Sequence, residues 1–417
     1  MQKNFTRLNA AMIERNLINL PQLTFEVTDA CNLHCKYCGY GDIYEGYDTR
    51  ESKYLTMKKA IVILEYMIEK WSSKYSASYQ KETYISFYGG EPLLNMKFIR
   101  EAVEWISNKE TPHCHFAFTM TTNGILLKEH IDFLKEHDFH ILVSLDGNRE
   151  NNSYRIDKHG NNSFDKIINN LTWIQEKYPV FFEKNIRFNA VLHNRNSYDS
   201  IVRFFKEKFN ILPSIAELNP MNIKPDYIHE FSELYNTRMD SISQSANEEE
   251  LQRELFMDNP QTKSLCTYIH WHSGNVFKSY NDLLSNEKNK KWIPTGTCLP
   301  FERKMFVTVN GKILSCERIS QEYALGRIEE NKVLLNTEEI AIKYNEWYEQ
   351  YIPQCTACYA VHTCQQCMFY NPHLNDTAEC PYFMDQSAFE KYKAINYAYL
   401  ATHPYLYRKI MEEVIIH

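Results

Sequence analysis

The sequence predicts an α/β fold: a partial, TIM-like (β/α)6 barrel followed by a cysteine-rich C-terminal domain. Three observations carry this expectation. Six short β-rich runs alternate with amphipathic helical stretches over the first half of the 417 residues. That rhythm stops near residue 220. Seven of the twelve cysteines then fall between Cys298 and Cys380.

The candidate strands are residues 24–28, 84–88, 115–121, 140–145, 186–192 and 214–218, rich in β-branched and aromatic side chains. Helical spacing of apolar residues falls between them, near 57–72, 96–108, 127–136, 163–177 and 197–208. Strand followed by helix, repeated, makes a parallel sheet with crossover helices. Six such units are short of the eight in a closed barrel, so an open, partial barrel is expected. The chain divides into an N-terminal extension (1–21), the barrel (22–221), a polar helical bridge (222–295), the cysteine-dense, loop-rich region (296–385) and a helical C-terminal segment (386–417) broken near Pro404. The charged run at 248–250 and the Lys/Asn-rich stretch at 287–291 read as solvated surface.

Composition narrows the function. Lys and Arg total 46 against 53 for Asp and Glu, a net charge of −7, which argues against a nucleic-acid partner. Lys3, Arg7, Glu14 and Arg15 interrupt the first twenty residues, so no secretory signal is expected. No apolar run approaches the ~20 residues that span a bilayer. The expected location is the cytoplasm, without membrane attachment. Thiols in that reducing compartment serve more often as metal ligands than as disulfides.

Cys31, Cys35 and Cys38 are spaced C-x3-C-x2-C on the loop that follows the first candidate strand. In β/α barrels that loop lies on the face where active sites form. Three thiolates can hold three irons of a cubane and leave the fourth open to a small molecule, here chelation by the amino and carboxylate groups of S-adenosylmethionine (SAM). A zinc site, or a saturated electron-transfer cluster with a distant fourth ligand, is the alternative on spacing alone.

With these cysteines in place, the sequence resembles the radical SAM superfamily. Gly89, Gly90, Glu91 and Pro92 follow the second strand and match that family's GGEP motif. The resemblance implies that Tyr37 contacts adenine and that the Gly89–Pro92 backbone meets the SAM ammonium. Asn123, at the end of strand three, is a further match. Ser144 and Arg155 are implied to bind the ribose and the carboxylate. The His-Asp that often precedes the family's Arg is replaced by an Asn-rich segment. Leu192 matches an adenine contact and reads equally as barrel core.

Cys298, Cys316, Cys355, Cys358, Cys364, Cys367 and Cys380 resemble the SPASM extension, a module holding two auxiliary 4Fe–4S clusters. The family's last pair is spaced C-x3-C, whereas Cys364 and Cys367 are spaced C-x2-C. By correspondence, Cys298, Cys316 and Cys367 belong to one auxiliary cluster, and Cys355, Cys358, Cys364 and Cys380 to the other. The first then lacks a fourth thiolate. Paired zinc knuckles are the alternative. Cys114, Cys266, His270 and His272 read as packing residues.

The resemblance implies three 4Fe–4S clusters, SAM, and an oxidoreductase acting on a peptide or protein. The segment 37–50 looks like that of maturases of ribosomally made precursor peptides, which form thioether or carbon–carbon crosslinks. Implied partners are the precursor and a reduced ferredoxin or flavodoxin; the stretch before Cys31 is short for a leader-recognition domain, so leader recognition is expected to need a separate protein, the bridge 222–290 or no leader at all. Anaerobic sulfatase-maturing enzymes are the rival. They place an Asp base after the second SPASM cysteine, where this sequence has Glu317, the candidate catalytic base; its alternative role is a structural pair with Arg318 or Arg303. A small-molecule radical SAM enzyme and a non-catalytic iron–sulfur electron carrier or redox sensor are the other readings weighed.

Overall fold

The computed structural model describes residues 5–76, 82–109, 111, 114–245, 251, 255–274, 276, 283–284, 293–371, 374 and 378–414. The charged run at 248–250 and the stretch 287–291 lie outside these residues. The chain divides into two compact units. One comprises Asn9–Ser241 and Cys298–Ala341; the other comprises Met1–Leu8, Ile242–Thr297 and Ile342–His417.

In the first unit, β1 (Gln22–Thr28), β2 (Glu82–Gly89), β3 (His115–Thr122), β4 (His140–Ser144), β5 (Ile186–Leu192) and β6 (Ser214–Glu217) pair in order, all parallel. All six expected strands are present, with small shifts at their ends. The crossover helices are α2 (Met57–Trp71), α3 (Met96–Ser107), α4 (Leu127–Glu136), α5 (Phe164–Lys177) and α7 (Tyr198–Phe209). Two shorter helices are α1 (Ala10–Ile18), before β1, and α6 (Pro179–Asn185), between α5 and β5. Their starts have local causes. The Asn9 side chain accepts the Met12 N–H to cap α1, Ser197 and Ser200 form a capping box on α7, and Pro179 fits the first turn of α6.

The sheet does not end at the barrel. Residues 298–341 add β7 (Met305–Val307), β8 (Lys312–Leu314), β9 (Gly326–Glu329) and β10 (Lys332–Leu335). β7 runs parallel to β1, and β8 to β10 continue antiparallel, giving one open ten-stranded sheet with β10 and β6 at its edges. Sequence reading had this stretch as loop. Strands of three or four residues are too short to show a two-residue period.

β1 alternates apolar Leu23, Phe25 and Val27 with polar Thr24, Glu26 and Thr28. All but its first residue are buried, as expected for a parallel strand covered on both faces. Phe87 and Phe118 stack on Phe139, with ring centroids 5.8 and 5.5 Å away. Trp71 is fully buried and donates its indole N–H to the Leu20 carbonyl at 3.1 Å.

The second unit is mostly helical. Thr337–Ala357 is a long helix whose residues from 342 onward belong here; Pro260–Thr267, Gln386–Thr402 and Tyr405–Glu413 follow the same unit. Leu265, Cys266, Ile269, Leu406 and Ile410 form its apolar cluster. Among the described residues no helix is long and apolar enough to cross a membrane.

Candidate active site

The C-terminal ends of β1 to β5 converge on the N-terminal cysteine loop. Cys31, Cys35 and Cys38 are half-buried and free. The loop is held by backbone bonds: His34 N–H to the Ile156 carbonyl (2.7 Å), Lys36 N–H to Tyr154 (3.1 Å) and Cys38 N–H to Cys35 (3.1 Å). Asp29, just before it, accepts the Glu51 and Lys53 amides at 3.0 and 2.5 Å.

The second strand's turn is zipped to the same place. Gly90 N–H donates to the Thr28 carbonyl at 2.8 Å and Glu91 N–H to Ala30 at 2.9 Å. Only glycine allows this approach. A Cβ on Gly90 would lie 2.0 Å from the Ala30 carbonyl oxygen, and Gly89 sits at φ +134°. Pro92 opens a buried 3-10 turn. Glu91 faces inward: it accepts from Thr122 Oγ1 (2.7 Å), Asn123 N (2.8 Å) and Leu93 N (3.0 Å). Burial raises its carboxyl to about 7, against the pull of these three donors. Its side chain ties β2 to β3, which leaves the turn's backbone as the part able to meet a ligand. Asn123 reaches back to the loop, donating to Asn32 Oδ1 at 2.7 Å and lying 3.9 Å from Cys31 Sγ.

The opposite wall centres on Asp146, which is fully buried. It accepts the Tyr37 hydroxyl and the Val191 N–H (2.9 Å), and pairs with Arg155 Nη2 at 3.1 Å. Arg155 is buried and its Nε has no partner. Its guanidinium also lies 5.5 Å from the Tyr37 ring centroid. Ser144 is half-buried at the end of β4. Leu192 is fully buried at the end of β5, as a core leucine would be.

A third wall comes from residues the sequence had not singled out. Arg50 bonds the Asp29 carbonyl (2.9 Å) and Glu26 Oε1 (3.1 Å), and its guanidinium sits 4.3 Å over the Tyr40 ring. Tyr40 packs against Tyr47 and Tyr88 at 5.0 and 6.3 Å. Glu317 faces this cluster, bound by Lys304 Nζ at 3.1 and 3.0 Å. Burial pushes the Glu317 carboxyl up, but Lys304 and Arg318 together pull it below its usual value. Its carboxylate thus accepts from two side chains, Lys304 Nζ and the Cys316 thiol, the latter 3.7 Å from Oε2.

Burial drives the thiols up, Cys31 to about 11 and Cys35 to about 12, and neighbouring thiols and carboxylates add to the effect. Three such thiolates together are stable only if a strong positive centre offsets them. Among the described residues, no three Cys, His, Asp or Glu side chains close on one metal ion. A cubane spreads its thiolates over separate irons, so the donor set fits a cluster better than a single tetrahedral ion. The spare Arg155 Nε is a donor suited to a carboxylate.

The later cysteines fall in both units. Cys298 and Cys316 belong to the first, where burial raises the Cys316 thiol to about 12 and Glu317 adds to it. In the second, Cys355, Cys358, Cys364, Cys367 and Cys380 line one cavity of about 800 Å³. Cys114 and Cys266 are buried. Asp146 and Arg50 were not singled out in the sequence. Only Asp146 had a sequence signal, standing in the Ser-Leu-Asp-Gly turn already noted for Ser144.

Residues 25–208 match the Radical SAM superfamily model. A cysteine-type anaerobic sulfatase-maturating enzyme of Clostridium novyi (strain NT) is 33% identical over 218 residues, 51% of this chain and 55% of that protein. The radical SAM cyclopropyl synthase TigE of Paramaledivibacter caminithermalis is 27% identical over 231 residues, 52% of this chain and 46% of its own. The chain thus spans about half the length of the curated relatives it matches. Native anSMEcpe with bound AdoMet superposes with a TM-score of 0.61 at 17% identity, over 94% of this chain and 99% of the other. Streptococcus suis SuiB bound to precursor peptide SuiA gives 0.50 at 17%, over 91% and 78%. At that identity the two structures speak to the fold alone. Motifs, sheet order and sequence relatives agree: the chain carries a radical SAM domain over residues 25–208, related to those of sulfatase-maturating and cyclopropyl-forming enzymes.

Proposed function

We propose that the chain is a radical SAM peptide maturase. In this reading it abstracts a hydrogen from a residue of a ribosomally made precursor and joins that residue to another by a thioether or carbon–carbon bond. The carrying observation is Arg155: a buried arginine, fixed by Asp146 on one edge, with an unused Nε donor beside Cys35. An electron carrier or redox sensor has no use for that donor or for the close-packed Gly89–Gly90 turn.

Cys31, Cys35 and Cys38 would hold one 4Fe–4S cluster, and the seven later cysteines would hold two more. When bound at the first site, cluster and SAM supply a one-electron C–S cleavage that yields methionine and a hydrogen-abstracting 5′-deoxyadenosyl radical. The chain's own residues do the rest. Arg155 and Ser144 hold the carboxylate and ribose, and the Gly89–Pro92 backbone takes the ammonium. Tyr37 presents its ring to adenine. Tyr40, Tyr47 and Tyr88 wall the space and keep water out. Glu317, kept ionised by Lys304, can accept a proton at its carboxylate oxygen. A reduced ferredoxin or flavodoxin would supply electrons, and a separate protein could present the leader.

Sulfatase maturation is the second reading, favoured by the 33% identical relative and by a carboxylate directly after Cys316. Anaerobic incubation of the reconstituted chain with SAM, reductant and candidate peptides separates the two. Loss of a pair of hydrogens with a new crosslink in the fragment spectrum supports the first. Conversion of one cysteine or serine to an aldehyde supports the second. Release of 5′-deoxyadenosine with neither peptide changed, across precursor and sulfatase sequences, counts against both.

A further inference from the structure

One buried titratable group beside the site has no part in the chemistry above. His193 follows β5 and is fully buried. Its Nδ1 accepts the Arg195 N–H at 3.1 Å. The ring proton therefore sits on Nε2, donated to the Asn151 carbonyl at 3.0 Å. Asn196 packs its amide 3.0 Å from the same nitrogen while donating to the Val191 carbonyl at 2.9 Å. The ring is neutral and tied at both nitrogens.

Its flat face meets Tyr37. The two rings stack with centroids 5.7 Å apart and planes 28° from parallel. Tyr154 closes the arrangement edge-on, 4.8 Å from His193 and 6.4 Å from Tyr37. Tyr37 has other anchors: its hydroxyl is fixed by Asp146, and Arg155 lies beside its ring. The hydroxyl bond supplies no plane, and the Arg155 guanidinium lies over the ring with its central carbon 5.5 Å from the centroid. A hydroxyl bond alone leaves an aromatic ring free to rotate about its own axis. A stacked neighbour sets that rotation, an arrangement worth about 0.5–1.5 kcal/mol beyond area burial. The ring stays neutral chiefly because burial disfavours its charged form; Arg155 and Arg195 act the same way, and Asp146, 3.8 Å from Nε2, opposes them.

We infer that His193 is a positioning residue for SAM: its ring is the plate that fixes the orientation in which Tyr37 meets adenine. This rests on the SAM reading of the site. It assigns no chemistry to His193, which acts only through Tyr37. The hydrogen bonds to Asn151 and Arg195 serve to hold the plate in place.

The test uses the full chain, anaerobically reconstituted, with SAM binding measured by equilibrium dialysis. His193→Phe keeps the plate and loses the bonds. His193→Asn keeps polar contacts and loses the plate, and His193→Leu is a second plate-less variant should the first not fold. Iron content is expected to be unchanged in each. His193→Phe should bind SAM within about twofold of wild type, and the plate-less variants about tenfold more weakly, the size of a single aromatic pair. Competition by free methionine, which has no adenine, should be the same in all. A merely structural role would lower the melting temperature and weaken methionine and SAM together. The inference is overturned if a folded plate-less variant binds SAM like wild type, or if His193→Phe is as weak as they are. A wild-type chain that binds no SAM overturns the underlying reading instead, and the inference with it.

Discussion

The loop carrying Cys31, Cys35 and Cys38 is tied down from several directions by strand ends, whereas the cavity of Cys355, Cys358, Cys364, Cys367 and Cys380 is lined by parts of helices and by short turns. Around the first, strand-end residues lock one another: Asn123 to Asn32, Glu91 to Thr122, Asp146 to Tyr37 and Arg155. Around the second stand the last turns of a helix containing Pro353, residues of the helices Pro260–Thr267 and Gln386–Thr402, and the single 3-10 turns Val361–Thr363 and Met368–Tyr370. Gln354 and Gln350 supply side-chain bonds to the Ala378 and Leu374 carbonyls at 2.7 and 2.8 Å. On the proposed reading, the first site must position an organic ligand and is built in advance by the sheet, whereas the second would have only to hold metal and could take its order from it.

Ligand removal should show this contrast most strongly. Cys35→Ser is expected to abolish SAM-dependent 5′-deoxyadenosine release. Cys358→Ser should lower iron content by about four per chain, one cluster's worth, while SAM still binds. SAM binding lost in Cys358→Ser would show the two regions to be one functional unit. Next in size is Asp146→Ala, which strands the Arg155 charge in a buried site. It should cost about 3–5 kcal/mol in a denaturant titration, and a loss below 1 kcal/mol would mean that the wall is not preorganised. Chelating the iron should then raise amide exchange across 350–371 while leaving β1 to β5 protected. Uniform deprotection would erase the distinction.

The smallest effect is on pH dependence. Burial, the largest influence, holds the His193 pKa below its ordinary 6.5, with Arg155 and Arg195 acting the same way and Asp146 opposing them. The unfolded chain therefore binds a proton near pH 6.5 that the folded chain refuses. Stability is complete above that pH and falls as pH drops through the window beneath it. His193→Phe should flatten this acid limb of the stability curve, and an unchanged slope would assign it to other groups.

The same contrast governs what could be read from the sequence. Short runs rich in β-branched and aromatic residues, each followed by a helical pattern, made β1 to β6 legible. The C-x3-C-x2-C loop and Arg155 stood out in the sequence as candidates. β7 to β10 were not, because strands of three or four residues carry no period. The helix Thr337–Ala357 was hidden by Pro353 and by the cysteines at its end. Glu317's surroundings were legible only in part. Arg318 acts on its carboxylate, as the sequence suggests, but Lys304 is brought to it by the β7–β8 hairpin, which no local pattern shows. His193 gave no signal at all, since a lone histidine after a strand looks the same whether it stacks on a tyrosine or faces water.

The central claim is that Cys31, Cys35 and Cys38 hold a cluster with one iron left free for SAM. Mössbauer or electron paramagnetic resonance spectra of the oxygen-free chain, recorded with and without SAM, address it directly. The account predicts a reduced 4Fe–4S signal that changes on adding SAM and vanishes in Cys35→Ser. A signal indifferent to SAM, or a fully loaded chain containing zinc and no iron, would contradict it.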